Sequence, residues 1–207
     1  MPFRRLFNWF RRIFRGRKSI SLGLYGPPNA GKTTLANKIS LDWTGEEMGK
    51  VSEIPHETRA VQKKEHVVVK TGANKIEMNL LDMPGIATKV DYKEFVEHGM
   101  SKEEAQKRAK EATSGVIEAI KWLENVDTAL VVMDSTRDPY TQVNITIIGN
   151  LEARDIPIIV VANKLDLEDS KPGKIREAFP QHHVVEISAK TGKDIDVLYD
   201  AIAKYSR

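Results

Sequence analysis

The sequence predicts an α/β domain with an open, mostly parallel sheet of six strands and helices on both faces, preceded by a short amphipathic helix. Two observations support this fold class. Apolar strand-like runs alternate with helix-like stretches along the chain. Four of these runs end in short polar or glycine-containing motifs. Because open α/β sheets bind ligands at the carboxyl ends of their strands, these motifs are expected to form one site.

The predicted elements follow one another without internal repeats or flexible linkers. The predicted strands are 19–25, 65–71, 75–82, 128–134, 156–162 and 183–188. The predicted helices are 31–40, 101–125, 140–154, 173–179 and 193–206. Thr71-Gly72-Ala73-Asn74 fits a tight hairpin turn, so the second strand is expected to run antiparallel to the others. Ser101 and Glu104 predict a capping box at the start of the longest helix. Residues 19–207 are therefore expected to form one domain, with residues 1–18 as a separate N-terminal helix.

A glycine-rich motif follows the first strand. Gly26-Pro27-Pro28-Asn29-Ala30-Gly31-Lys32-Thr33 fits G-x-x-x-x-G-K-[ST] between a strand and a helix. The backbone N–H groups of such a loop and the positive end of the helix dipole form a nest for phosphate oxygens. Lys32 is expected to contact the β- and γ-phosphates, and the Thr33 hydroxyl to bind Mg²⁺. The residues expected to bind the phosphates are Gly26, Asn29, Ala30, Gly31, Lys32, Thr33 and Thr34.

A second motif indicates which base is bound. The strand at 156–162 ends in Asn163-Lys164-Leu165-Asp166. The Asp166 carboxylate can accept hydrogen bonds from the N1–H and 2-amino groups of guanine, which adenine lacks. A buried carboxylate left unpaired is costly, so this pattern favours guanine.

Two shorter motifs also follow strands. In Asp82-Met83-Pro84-Gly85, Asp82 suits a second-shell contact to Mg²⁺, and the Gly85 N–H suits the γ-phosphate. Ser188-Ala189-Lys190 follows the last strand. Each motif alone is weak, but their order and their positions at strand ends together predict a guanine-nucleotide site.

On these motifs the chain resembles the translation-factor-related P-loop GTPases, and within them the Era-like group, over about residues 19–206. The resemblance makes 26–33 the phosphate loop, 82–85 the γ-phosphate switch, 163–166 the guanine-reading motif and 188–190 the base-supporting loop. Ser52 to Arg59 looks like the family's first switch, S-x-x-P-x-T-T-R, with Glu57 in place of its first threonine. Thr58 keeps the position expected to bind Mg²⁺. Era itself carries a C-terminal RNA-binding domain, and we expect none after the last helix of this domain.

The resemblance implies GTP hydrolysis, with Lys32, Thr58 and Gly85 as the catalytic groups. Ras-like GTPases orient the attacking water with a glutamine, and Ile86 occupies that position here. Because Ile86 has no hydrogen-bonding atom in its side chain, we expect slow intrinsic hydrolysis. Several relatives hold K⁺ with an asparagine of the phosphate loop, and Asn29 has the matching position. A turn residue that stabilises its own loop is an equal interpretation of Asn29.

Basic residues are concentrated at the N-terminus. Of the 32 basic residues, seven lie in residues 1–18, which hold no acid, leaving 25 against 29 acidic residues in the remainder. At 100° per residue, residues 3–15 place apolar and basic side chains on opposite faces. The apolar face comprises Phe3, Leu6, Phe7, Phe10, Ile13 and Phe14, with Trp9 at its margin. This pattern is typical of a helix that lies in a bilayer interface against anionic headgroups.

Three alternatives remain open for this segment: a helix docked on the domain, an organelle transit peptide and an arginine-rich RNA-binding arm. The chain contains no cysteine, which fits an intracellular protein. We therefore expect a Mg²⁺-dependent GTPase that acts as a switch on an effector protein at the cytoplasmic face of a membrane. The alternative functions are an RNA- or ribosome-associated assembly GTPase and a GTP-loaded recruitment module with negligible turnover.

Overall fold

A computed structural model describes residues 20–49, 60–71, 74–87 and 90–205. Its strands are β1 (Ile20–Tyr25), β2 (Gln62–Thr71), β3 (Asn74–Asp82), β4 (Thr128–Asp134), β5 (Ile158–Asn163) and β6 (His183–Glu186). They form one sheet in the order β2-β3-β1-β4-β5-β6. Only the β2–β3 pair is antiparallel among these strands, and the other pairs are parallel. The predicted sheet and its antiparallel second strand are confirmed.

The helices lie between the strands, largely where the sequence predicts them. They are α1 (Lys32–Thr44), α2 (Tyr92–Glu97), α3 (Lys102–Lys121), α4 (Gln142–Glu152), α5 (Pro172–Ala178) and α6 (Ile195–Tyr205). A 3₁₀ turn, Trp122–Asn125, continues α3, so the predicted helix 101–125 changes geometry in its last turn. The predicted capping box is present: Ser101 Oγ accepts from the Glu104 N–H, and the Glu104 carboxylate accepts from the Ser101 N–H. Helix α2, which starts at an Asp91 cap, was not predicted.

Both faces of the sheet are covered by helices. Helices α1 and α6 pack on one face, where Leu35 and Ile202 join the buried side chains of β1 and β5. Helices α3, α4 and α5 pack on the other face, where Ile148 and Ile175 meet β4. Every residue of β4 is buried, as expected of a central parallel strand covered on both sides. The carboxyl ends of β1, β3, β4 and β5 therefore come together at one edge of a two-sided core.

Several predictions concern residues outside those described. The N-terminal helix and its boundary at residue 19 lie there, and so does the predicted first switch with Thr58. These remain predictions. Within the described ranges, no helix combines the length and the apolar character needed to cross a membrane.

Candidate functional site

The glycine-rich loop leaves β1 and enters α1 through an unusual backbone. Gly26 and Gly31 have positive φ values of 152° and 97°. A Cβ at Gly26 would collide with the Val132 carbonyl oxygen, and one at Gly31 with the Asn163 amide. Asn29 is also left-handed, with φ 60°, and is exposed at the loop's tip. Tight packing against the ends of β4 and β5 thus requires the glycines and gives the loop its shape.

Lys32 is buried within this loop, with 6% of its surface exposed. Its ammonium donates to the carbonyls of Gly26 (3.1 Å) and Pro27 (2.8 Å). Burial lowers the pKa of Lys32 to about 8, although the negative charge of Asp82 acts in the opposite direction. A cation held among carbonyls in a desolvated loop is stabilised by an incoming anion, so the loop is prepared for phosphate.

Thr33 and Asp82 meet at the start of α1 and the end of β3. The Thr33 hydroxyl donates to Asp82 Oδ2 at 2.7 Å. β1 and β3 pair with Leu24 beside Asp82, which sets this carboxylate next to the phosphate loop. A hydroxyl and a carboxylate are hard oxygen donors of the kind that Mg²⁺ prefers. The residues therefore fit the predicted Mg²⁺ site, in which the Thr33 hydroxyl would hold the ion and the Asp82 carboxylate would orient that hydroxyl. No set of three His, Asp or Glu side chains in the described ranges could hold a metal alone.

The γ-phosphate motif lies directly against the phosphate loop. A Cβ on Gly85 would come within 3.0 Å of Pro28 Cα, so the two backbones are in close contact. The next N–H, that of Ile86, donates to the Gly26 carbonyl at 3.1 Å. The Ile86 side chain is 7% exposed and packs in the core beneath α3 and α4. Gly85 is thus at the loop, as predicted, while Ile86 serves the core.

The end of β5 joins the phosphate loop to the base-supporting loop. Asn163 Nδ2 donates to the Ala30 carbonyl, and Asn163 Oδ1 accepts from the Ala189 N–H, both at 2.9 Å. Ser188 Oγ donates to Asp166 Oδ1 at 2.7 Å, which orients that exposed carboxylate. The three motifs predicted to act together are therefore hydrogen-bonded to one another. Lys190 lies on the exposed side of the same loop.

Lys164 of the guanine-reading motif forms an ion pair that the sequence analysis did not predict. Its backbone is left-handed, with φ 73°, and its Nζ donates to Asp134 Oδ2 at 2.7 Å. Asp134 ends an apolar strand, as Asp82 does. That shared position was the sequence signal that would have identified it.

Asn37 is a second residue that sequence reasoning missed. It lies on α1, and its Oδ1 accepts from the N–H groups of Met48 (2.8 Å) and Gly49 (2.9 Å). Its Nδ2 donates to the Gly49 carbonyl at 2.7 Å. Asn37 thereby anchors the chain just before the predicted first switch. An asparagine among the apolar residues of a helix interior was the available signal.

The fold and the site define a P-loop nucleotide-binding protein of the GTPase class. A family model described as "50S ribosome-binding GTPase" matches residues 21–164. That match covers more than half of the chain, so the chain belongs to this family. The resemblance to Era-like P-loop GTPases is thereby confirmed, and the solved structures agree.

Curated relatives are longer proteins. GTPase Der of Mycoplasmopsis agalactiae is 35% identical over 193 residues, which cover 88% of this chain and 38% of that protein. The tRNA modification GTPase MnmE of Legionella pneumophila is 28% identical over 186 residues, 90% of this chain and 34% of that protein. This chain thus spans little more than a third of the relatives it matches.

Two similar solved structures are Era proteins. An Aquifex aeolicus Era variant bound to GDP·AlF₄⁻ superposes with a TM-score of 0.69 at 26% identity, covering 92% of this chain and 58% of that one. Era in complex with MgGDPNP and nucleotides 1506–1542 of 16S ribosomal RNA has the same TM-score and identity, 0.69 and 26%, covering 93% and 58%.

Proposed function

We propose that this chain binds GTP with Mg²⁺, hydrolyses it to GDP and phosphate, and works as a conformational switch. The observation that carries the proposal is the hydrogen-bonded path through Asn163, which joins Ala30 of the phosphate loop to Ala189 of the base-supporting loop. This path sets the base-reading end and the phosphate end of one site at a fixed separation. The solved structures of similar Era proteins hold guanine nucleotides, which supports the same ligand here.

Guanine selectivity is assigned to Asp166, whose carboxylate Ser188 holds in place. Asp166→Asn replaces an acceptor with a donor, so GTP binding should weaken at least tenfold, about 1.4 kcal/mol, and xanthine nucleotides should bind instead. The matched control is Asp169→Asn in the same exposed loop, which should bind GTP as the parent does. Calorimetry with GTP, ATP and XTP tests all three proteins. ATP binding to the parent as tightly as GTP would refute the assignment.

Hydrolysis is assigned to Lys32, Mg²⁺ and the switch residues Gly85 and Thr58. Lys32 would stabilise charge on the transferred phosphoryl group, Mg²⁺ held by Thr33 would supply further positive charge there, and Gly85 and Thr58 would sense the γ-phosphate. Lys32→Ala should abolish nucleotide binding or turnover. Thr33→Ala should raise the Mg²⁺ requirement, since it removes the hydroxyl that meets Asp82.

Potassium is part of this proposal through Asn29, whose place in the phosphate loop matches the K⁺-holding asparagine of several relatives. Single-turnover hydrolysis in KCl and in NaCl, at equal ionic strength, tests it. Equal rates in the two salts would leave Asn29 as a turn residue, in keeping with its left-handed backbone.

We further propose that residues 1–18 bring the switch to an anionic membrane surface on the cytoplasmic side. The support is the sequence pattern of an aromatic face opposite a basic face, in front of a domain with more acidic than basic residues. Membrane binding would place the switch beside an effector protein of the same surface.

The second candidate is RNA or ribosome association through the same basic segment. It is favoured by the family description, "50S ribosome-binding GTPase", and by the Era structure that contains ribosomal RNA. Flotation with anionic vesicles and binding to a structured RNA, each measured for the full chain and for residues 19–207, separate the two. Loss of vesicle binding on truncation favours the membrane, and loss of RNA binding favours the second candidate.

A further inference from the structure

Asp134 is a buried carboxylate next to the guanine-reading loop. Its side chain is 6% exposed, and Oδ2 accepts from Lys164 Nζ at 2.7 Å. The other oxygen, Oδ1, accepts from the Thr136 N–H at 3.0 Å and from the Thr136 hydroxyl at 2.7 Å. Burial raises the pKa of Asp134, but the hydrogen bonds from Lys164 and Thr136 outweigh it and hold that pKa below its ordinary value. The group is therefore an anion over the whole neutral range.

The backbone already brings this carboxylate to the loop. Asp134 and Asn163 are paired in register at the ends of β4 and β5. The following N–H, that of Ser135, donates to the Asn163 carbonyl at 3.0 Å. The ion pair with Lys164 adds a side-chain tie across the same junction, between residues 30 positions apart.

Lys164 is the member of the guanine loop that most needs such a tie. Its φ of 73° is costly for a residue with a Cβ, by about 1–2 kcal/mol. Its neighbours in the loop have their own partners, because Asn163 is bonded to two loops and Asp166 to Ser188. The long Lys164 side chain is 28% exposed and has several accessible rotamers. Its charge-assisted hydrogen bond to Asp134 restricts it to one of them.

We infer that Asp134 is a positioning residue for guanine-nucleotide binding, which acts through Lys164 by holding its ammonium beside the end of β4. The inference rests on the guanine-nucleotide site proposed above. Asp134 does not touch the nucleotide. It fixes the Lys164 backbone and side chain in the conformation that presents Asp166 to the base.

A purely structural role is the competing explanation, since Thr136 also bonds Asp134 and the turn after β4 depends on it. A double-mutant cycle distinguishes the two roles. The variants are Asp134→Ala, Lys164→Met, which keeps the side-chain length without the charge, and their combination. Asp134→Asn retains an acceptor at the same place and preserves folding if the alanine variant unfolds.

The matched control is Arg137→Gln. Arg137 Nε lies 3.6 Å from the same carboxylate oxygen, but its side chain is 71% exposed. This change removes a positive charge beside Asp134 without touching the guanine loop. GDP affinity should change less than twofold, because exposed pairs contribute little.

The measurement is the Kd of Mg²⁺–GDP by calorimetry, with the melting temperature of each nucleotide-free variant. We expect Asp134→Ala to weaken GDP binding about tenfold and Asp134→Asn about threefold. Lys164→Met should weaken it at least tenfold, and adding Asp134→Ala to it should change Kd less than twofold.

Full additivity in the double variant would overturn the inference, because Asp134 would then act independently of Lys164. Tighter GDP binding by Asp134→Ala would also overturn it, since Asp134 would then compete with the nucleotide for the lysine. A parent protein that fails to bind GDP at all would instead refute the proposed function, so the two failures are distinguishable.

Discussion

Replacing Asn37 with alanine tests how the chain before the predicted first switch is held. The Asn37 side chain is buried, with 6% of the residue exposed, and makes three hydrogen bonds of 2.7–2.9 Å to the backbone of Met48 and Gly49. These bonds tie α1 to the irregular segment 45–49 that follows it. Loss of the side chain leaves two N–H groups and one carbonyl without their partner.

The magnitude follows from these contacts. The three hydrogen bonds stabilise the fold by about 1 kcal/mol each, and the better helix propensity of alanine offsets about 0.5 kcal/mol of their loss. Met48 and Gly49 are only half-buried, so water replaces part of the loss. Asn37→Ala should therefore lower the free energy of unfolding by about 2 kcal/mol. For a domain of this size that is a fall in melting temperature of about 4–8 °C.

Thermal unfolding of the nucleotide-free protein, followed by circular dichroism, measures this fall. The control is Asn150→Ala on α4, whose side chain makes only local bonds: Nδ2 donates to the Thr146 carbonyl at 2.8 Å, and Oδ1 accepts from the exposed Arg154 guanidinium at 3.2 Å. That change should shift the melting temperature by less than about 3 °C, because the exposed contact with Arg154 contributes little and the better helix propensity of alanine offsets part of the other bond. Equal shifts for the two variants would refute the anchoring argument. We also expect GDP release to accelerate in Asn37→Ala only, because the loosened chain leads into the predicted first switch.

Four further predictions concern the charge of Lys32, the role of Ile86 and the N-terminal segment. Because Lys32 has a lowered pKa of about 8, GDP affinity of the nucleotide-free protein should fall as pH rises above about 8; calorimetry giving a flat profile to about pH 9 would contradict this. Below about pH 8 the buried charge of Lys32 destabilises the nucleotide-free fold. Between about pH 8 and 10.5 the folded chain has lost this proton while the unfolded chain still holds it, so the free energy of unfolding should rise with pH over that range. Ile86→Ala should change the single-turnover hydrolysis rate by less than about threefold. It should also lower the free energy of unfolding by about 2–4 kcal/mol, because Ile86 packs in the core. A rate a hundredfold slower would show that Ile86 takes part in the chemistry. Phe7→Glu with Phe10→Glu should abolish flotation with anionic vesicles at any salt and leave hydrolysis unchanged, and persistent flotation would exclude the membrane helix.

The site was predictable wherever the chemistry is local in sequence. The phosphate loop and the guanine motif each need residue types at a fixed spacing after a strand, and such spacing is visible without a structure. The sequence also contained a signal for the end of α1. The prediction stopped this helix at residue 40, whereas it continues to Thr44 and ends at Gly45, whose left-handed backbone with φ 77° is a typical helix stop.

Elements that depend on distant partners were not predictable. Helix α2 has six residues and too short an apolar pattern, and it is stabilised because Phe95 packs on Ala105 and Ala112 of α3. Asp134 acquires its role only when β4 pairs with β5 and brings Lys164 within reach. In both cases the information lies in tertiary contact, which periodicity and spacing do not report.

The same dependence explains why the base and phosphate ends of this site should act as a unit. Asn163 belongs to the guanine-reading motif, yet its side-chain amide donates to the Ala30 carbonyl in the phosphate loop. The same amide leaves no room for a Cβ at position 31, which is a glycine. A displacement of β5 relative to β1 would therefore disturb phosphate binding as well as base recognition. Parallel pairing through β4, which is buried along its whole length, resists such a displacement. Rigid central strands should thus couple guanine recognition to phosphate binding, while Gly85, which is expected to respond to the γ-phosphate, lies against Pro28 of the phosphate loop.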